Sequence, residues 1–264
     1  PFAACLVLVG MHAYLGIHVL AREVIFVDLS LAQVAALGST IAFLMGYGLE
    51  GSTAYLMSLG ATFVGAGIFS LTRMRHGRVP QEAIIGIVYA VSAAAAVLTI
   101  DRAPHGAEHI KHMLVGSILW VSWADVLRMA AVYLVVGAFH WVLRERFITI
   151  SMDEGEAARR GWAIRAWDFV FYASFGLVIS ISVPIAGVLL VFSFLIVPAV
   201  CGTLLSDRIP ARLAIAWAIG FLVSALGCTI SFLADLPTGA TVVCVFGVVL
   251  IVLALVRGVF TQRR

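Results

Sequence analysis

The sequence predicts an all-α, polytopic membrane protein: one domain, residues 1–264, of about nine transmembrane helices, with the N-terminus outside and the C-terminus cytoplasmic. Three observations carry this. Hydrophobic residues make up 62% of the chain and charged residues 12%, with a mean hydropathy of +1.09, whereas soluble domains carry roughly 25% charged residues. From Phe169 to Ser206 the chain runs 38 residues without a charge. At about 1.5 Å per residue one helix of that length would be nearly twice the roughly 30 Å of a bilayer core, so the run must hold two crossings. Finally, 14 of the 17 lysines and arginines fall in alternate loops.

Taken in order, apolar runs of spanning length fall near 2–20, 25–46, 54–72, 83–100, 114–143, 167–183, 185–205, 213–233 and 240–258. In the fifth, Trp120, Trp123 and Asp125 point to a short interfacial piece ahead of a crossing that starts near Val126. The sixth and seventh are separated by a fold-back near Ser182-Val183-Pro184. The basic residues then set orientation. Arg22; Arg73, Arg75 and Arg78; Arg144, Arg146, Arg159, Arg160 and Arg165; Arg208 and Arg212; and Arg257, Arg263 and Arg264 share one side, against Arg102, Lys111 and Arg128 on the other. Positively charged loops stay in the cytoplasm, which puts the N-terminus outside and the C-terminus inside. The chain opens at Pro1, and its first apolar run reads as a span rather than a cleaved leader, because further spans follow it. Cys5, Cys201, Cys228 and Cys244 lie within apolar runs without metal-ligand spacing and are expected to pack helices. A net charge of +3 in such a chain is no argument for nucleic acid.

Several segments, in order, resemble a known family. They are Glu82-Ala-Ile-Ile-Gly86-Ile-Val, Leu114-Val-Gly116-Ser-Ile-Leu119, Ser151-Met-Asp153-Glu154-Gly-Glu-Ala157, Gly187-Val-Leu-Leu-Val-Phe-Ser-Phe-Leu-Ile-Val-Pro198-Ala199 and Asp235-Leu-Pro237-Thr-Gly239. Together they resemble the permease subunit of zinc/manganese-type ABC transporters. The resemblance implies the membrane-spanning part of an ATP-driven importer of divalent transition metal ions, zinc first, with manganese and iron as alternatives. It also implies a second permease copy, homologous or identical, a cytoplasmic ATP-binding cassette ATPase, an extracytoplasmic metal-binding protein, and a place in the bacterial inner membrane. The chain would be no enzyme and would hold no bound cofactor beyond the transported ion. It contains no Gly-x-x-x-x-Gly-Lys-Ser/Thr phosphate loop, and its one lysine, Lys111, falls in an external loop, so ATP chemistry belongs to another chain. The elbow of Ser206, Asp207, Arg208, Ile209, Pro210, Ala211 and Arg212 is the expected ATPase contact, a polar turn whose proline ends one helix and starts the next. The stretch Asp153–Arg165 is expected beside it.

At the cargo end the chain departs from its family. The family's second crossing carries Asp-x-x-x-His, two ligands one turn apart on one face. Here those positions hold Leu29 and Gln33. Leucine cannot bind a metal, and the Gln33 amide oxygen is a weak neutral ligand. Asp28 neighbours the lost position but points elsewhere at about 100° per residue. It is either a functional group of the path or an interfacial residue paired with Arg22. His12 either faces the path or is a hydrogen-bonded packing residue. Outside the membrane, His105, Glu108, His109 and His112 fall at i, i+3, i+4 and i+7 after Pro104. On a helix they share one face, and three imidazoles with a carboxylate suit zinc. The same string matches His-x-x-Glu-His, a zinc-protease signature, so a membrane metalloprotease stands as a remote alternative. A gradient-driven secondary carrier is the other alternative, although no internal repeat supports it.

Overall fold

The computed structural model describes residues 1–47, 51–73, 79–100, 116 and 118–261. Among the described residues every regular element is helical: α1 (Phe2–Ala21), α2 (Val27–Leu44), α3 (Ser52–Thr72), α4 (Gln81–Ile100), a 3-10 turn at Ile118–Trp120, α5 (Trp123–Val142), α6 (Arg144–Met152), α7 (Glu154–Arg159), α8 (Ile164–Ala186), α9 (Val188–Leu205), α10 (Ile209–Ala234) and α11 (Thr238–Thr261). Nine of these are long and apolar enough to cross a membrane; α6 and α7 are the short exceptions. The four cysteines are free.

The bundle is layered around α1, whose spanning window is 67% buried, whereas that of the peripheral α11 is 11% buried. Helices in lipid gain little by hiding apolar surface from one another, so close backbone approach has to supply the packing. Two glycines show this. A methyl group on Gly16 would overlap the Leu195 carbonyl and the Ala199 side chain, so α1 and α9 touch backbone to backbone. On Gly38 it would lie 2.6 Å from the Met57 carbonyl, which joins α2 to α3 in the same way. Trp217 on α10 donates to the Gly10 carbonyl, and Phe221 meets Phe2 farther toward the start of α1. Hence α10 runs antiparallel to α1, and it begins at the end where α1 finishes.

Two boundaries differ from the sequence reading. The break inside the long uncharged run falls at Gly187, not at Ser182–Pro184, and Pro184 sits inside the last turn of α8. Gly187 has φ 78°, a left-handed conformation that costs glycine little. Its N–H closes α8 on the Val183 carbonyl and its own carbonyl opens α9 at Val191. The other difference is the start of α5. It begins at Trp123 rather than Val126, because Ser122 and Asp125 form a capping box that draws Asp125 into the first turn. The interfacial piece expected before it is the 3-10 turn.

The close approach at Gly16 makes a direct expectation. Gly16→Val overpacks the α1–α9 contact, a cost of about 1–3 kcal/mol, and should lower the apparent melting temperature in detergent by roughly 3 °C or more. Gly10→Ala meets open space and should leave it unchanged. Equal melting curves for the two variants would contradict the packing described.

Candidate functional site

Helix α2 is mostly buried, and its most continuous opening is one stripe. Phe26, Ile41 and Leu44 are exposed, and Leu29, Gln33 and Leu37 between them are half-buried. Leu29 and Gln33, the positions the resemblance aligns with the family's ligands, therefore sit on the most open face of α2. Phe26 stacks on Phe192 of α9, ring centroids 6.4 Å apart, which sets this face beside a second open stripe that includes Leu189.

Asp28 lies elsewhere. It is 2% exposed, turned into the protomer, and its Oδ1 accepts from the Leu29 N–H at 2.6 Å. A carboxylate in the first turn of a helix is favoured by the free N–H groups there. The alternative partner expected for it, Arg22, instead pairs with Asp168, and no Asp28–Arg22 ion pair is present among the described residues. His12 is fully buried: Nδ1 donates to the Leu8 carbonyl at 3.0 Å, whereas Nε2 has no partner. It faces Tyr133 on α5, whose hydroxyl is likewise unpartnered, with ring centroids 5.7 Å apart. Among the described residues no three His, Cys, Asp or Glu side chains are grouped to hold a metal. His105, Glu108, His109 and His112 lie outside the described residues.

The densest polar cluster is at the arginine-rich end, and its centre, Asp168, was not singled out from the sequence. Asp168 is fully buried in the first turns of α8. Its Oδ1 accepts from Arg22 Nη1 at 2.7 Å and its Oδ2 from Arg73 Nη1. Arg73 also donates through Nη2 to Glu154 of α7 at 2.9 Å. Arg22 Nε donates to the Ser151 hydroxyl of α6 at 2.8 Å, which leaves that hydroxyl's proton for His18 Nδ1, also 2.8 Å away. The Arg22 guanidinium lies over the Phe171 ring, 4.0 Å from its centroid. Two arginines and two carboxylates cancel, so the cluster is neutral as a set. Removing one member of such a buried set costs about 3–5 kcal/mol, because the remaining charge is stranded. One signal for it was available: Asp168 is the last charge before the 38-residue uncharged run.

A second polar chain lies deeper. Ser174 donates to the Phe171 carbonyl at 2.8 Å, so it accepts from His140 Nε2 at 2.8 Å. His140 Nδ1 is then free to accept from the Tyr14 hydroxyl at 3.2 Å. This places His140 as a neutral imidazole bridging α1, α5 and α8.

The short helices α6 and α7 are held by exposed charges. Asp153 caps α7 by accepting from the Glu156 N–H at 2.8 Å, and Arg160 bridges Glu156 and Glu145. Hydrogen bonds from Arg160 and Arg159 hold the Glu156 carboxyl below the usual carboxylate range. The elbow is also preorganised. Ser206 Oγ accepts from the Arg208 N–H at 3.2 Å and the Ser206 carbonyl from Arg212 Nε at 2.8 Å. With Arg212 turned inward, Asp207, Arg208 and Pro210 are presented outward. Because α10 begins where α1 ends, the elbow lies at the same end of the bundle as Arg22, Arg73 and α7.

With this geometry in view, comparisons with known proteins agree. A model of the ABC 3 transport family matches residues 1–257. A probable metal transport system membrane protein of Chlamydia muridarum is 23% identical over 235 residues, 88% of this chain and 80% of the relative. The chelated iron transport system membrane protein YfeC of Yersinia pestis is 26% identical over 238 residues, 84% of this chain and 81% of the relative. The manganese transport system membrane protein MntB of a Synechocystis species is 26% identical over 73% of this chain and 61% of its own length. In fold, the chain superposes on PsaBC from Streptococcus pneumoniae with a TM-score of 0.78 at 17% identity, covering 96% of this chain and 88% of the other. A putative metal-chelate type ABC transporter in an inward-facing conformation gives 0.69 at 20% identity, covering 95% and 84%. Matched along almost its entire length by the family's model, this chain belongs to the ABC 3 transport family.

Proposed function

We propose that the chain is the permease subunit of an ATP-driven importer of divalent transition metal ions. The observation that carries this reading is the family match over residues 1–257. Membership in a transport family makes the chain a membrane subunit rather than an enzyme. The nine apolar helices among its described residues and its bacterial relatives make it a multi-pass protein of the bacterial inner membrane. The relatives named for manganese and chelated iron set those metals beside zinc as cargo.

In this reading two permease copies, identical or sister chains, enclose a path, and the open stripe of α2 faces it. Leu29 and Gln33 offer at most one neutral oxygen there, so the path itself holds the ion weakly. Asp28 supplies a carboxyl group one residue from the stripe, and His12 supplies the unpartnered imidazole nitrogen deeper in the protomer. His105, Glu108, His109 and His112 would meet the ion as an extracytoplasmic binding protein releases it. The arginine-rich end faces the cytoplasm, and there the elbow Ser206, Asp207, Arg208, Pro210 and Arg212 meets the ATPase, with α6 and α7 alongside. Two features of the elbow support this: its own hydrogen bonds fix it, and its exposed Asp207 and Arg208 face outward. Closure of the ATPases on ATP would then alternate access to the path.

The reading is tested by reconstituting the permease with its ATPase and binding protein in liposomes. Uptake of zinc, manganese or ferrous ion is expected only with ATP on the ATPase side. Uptake by the permease alone, driven by an ion gradient, would sink it. In the same assay Asp28→Asn should lower uptake about tenfold or more while leaving ATPase association unchanged. Full uptake by that variant would make Asp28 a helix-terminal packing residue.

A further inference from the structure

We infer that Asp168 is the clamp that locks together Arg22 and Arg73, the two links by which movement of α6 and α7 reaches α2, the helix whose open stripe faces the proposed path. The inference rests on the functional reading above and goes beyond it by naming the residue that holds those links together.

The argument starts from what Asp168 holds. Its two oxygens bind two arginines from two different helix ends, Arg22 after α1 and Arg73 after α3. Each arginine in turn holds one of the short helices: Arg22 binds Ser151 of α6, and Arg73 binds Glu154 of α7. On the other side, each leads to α2. Arg22 stands five residues before Val27, the first residue of α2. Arg73 ends α3, which is seated against α2 at Gly38 and again at Gly65, where Leu31 and Val34 close in. So each short helix is linked to α2 through an arginine, and one carboxylate locks those two arginines together.

The geometry also separates a moving clamp from a static staple. Arg73 spans a buried carboxylate and a partly exposed one, with Asp168 at 0% and Glu154 at 31% side-chain exposure. A planar guanidinium can grip both at once; a lysine ammonium is a single point and cannot match that fork. Displacement of α7 would therefore pull on Asp168 through Arg73. Arg22 keeps one donor, Nη2, buried and uncommitted. That spare donor lets the clamp re-pair during a shift while Nη1 stays on Asp168. Asp168 touches neither the stripe of α2 nor the elbow. It is a positioning residue that acts through Arg22 and Arg73.

The test uses the complete complex of permease, ATPase and binding protein in liposomes, and reads metal ions taken up per ATP hydrolysed. Asp168→Asn keeps the shape and removes the charge; Arg73→Lys keeps the charge and removes the fork. Both variants are expected to retain ATP hydrolysis and to lose at least about threefold in ions per ATP, since hydrolysis no longer moves α2. Asp168→Glu, which restores the charge, should recover part of the ratio. If Asp168→Asn does not assemble, Arg73→Lys carries the test alone. An unchanged ratio in an assembled variant would overturn the inference, and so would uptake and hydrolysis falling in proportion, the mark of a merely structural loss. The wild-type complex is measured alongside. If it shows no ATP-driven uptake, the functional reading fails and takes this inference with it; if it couples normally while the variants couple equally well, only the clamp is overturned.

Discussion

A single carboxylate held between two arginines organises the arginine-rich end of this bundle. Asp168 is buried at the start of an otherwise uncharged stretch, where an unpaired charge would be costly. It is tolerable only because Arg22 and Arg73 reach it, and they reach it only because α1, α3 and α8 end or begin at the same level. The requirement runs both ways. Burying the carboxylate fixes the heights of three helices, and Ser151 and Glu154 extend that constraint to α6 and α7. Buried Phe147, Ile150 and Ala157 anchor the short helices as well, whereas their exposed ion pairs contribute little each.

Away from that cluster the bundle is built on different physics. There the helices meet through small residues and aromatic stacking, and the polar atoms are sparse and individually satisfied or orphaned. Tyr14, His140 and Ser174 form a closed neutral chain, whereas His12 Nε2 and Tyr133 face one another without partners. Leu29 and Gln33 lie half-buried on a largely apolar stripe of α2.

Much of the fold was legible because hydropathy and charge act locally in a membrane. A helix that crosses must be apolar for its whole length, and its basic ends must stay on one side, so the nine spans followed from the pattern. Boundaries that depend on geometry were less legible. Pro184 looks like a break, yet the left-handed turn at Gly187 is where the chain reverses, because a proline near a helix end loses little. Asp125 looks interfacial by charge, yet Ser122 recruits it into a cap. Pairing was least legible. Arg22 stands six residues from Asp28 and 146 from Asp168, and only the packed bundle shows that it chooses the distant one. The elbow, by contrast, reads the same in sequence and in structure, since its proline, serine and charges act within seven residues.

In the proposed coupling, movement of the short helices reaches α2 only while Asp168 locks Arg22 to Arg73. Spin labels at Ile41 on α2 and Val256 on α11, both exposed, would report the position of α2 by pulsed electron resonance in the full complex, with the native cysteines replaced. In the Asp168 protein the label separation should change when the ATPases are trapped with ATP, and in Asp168→Asn that change should vanish. An identical change in both proteins would contradict the account.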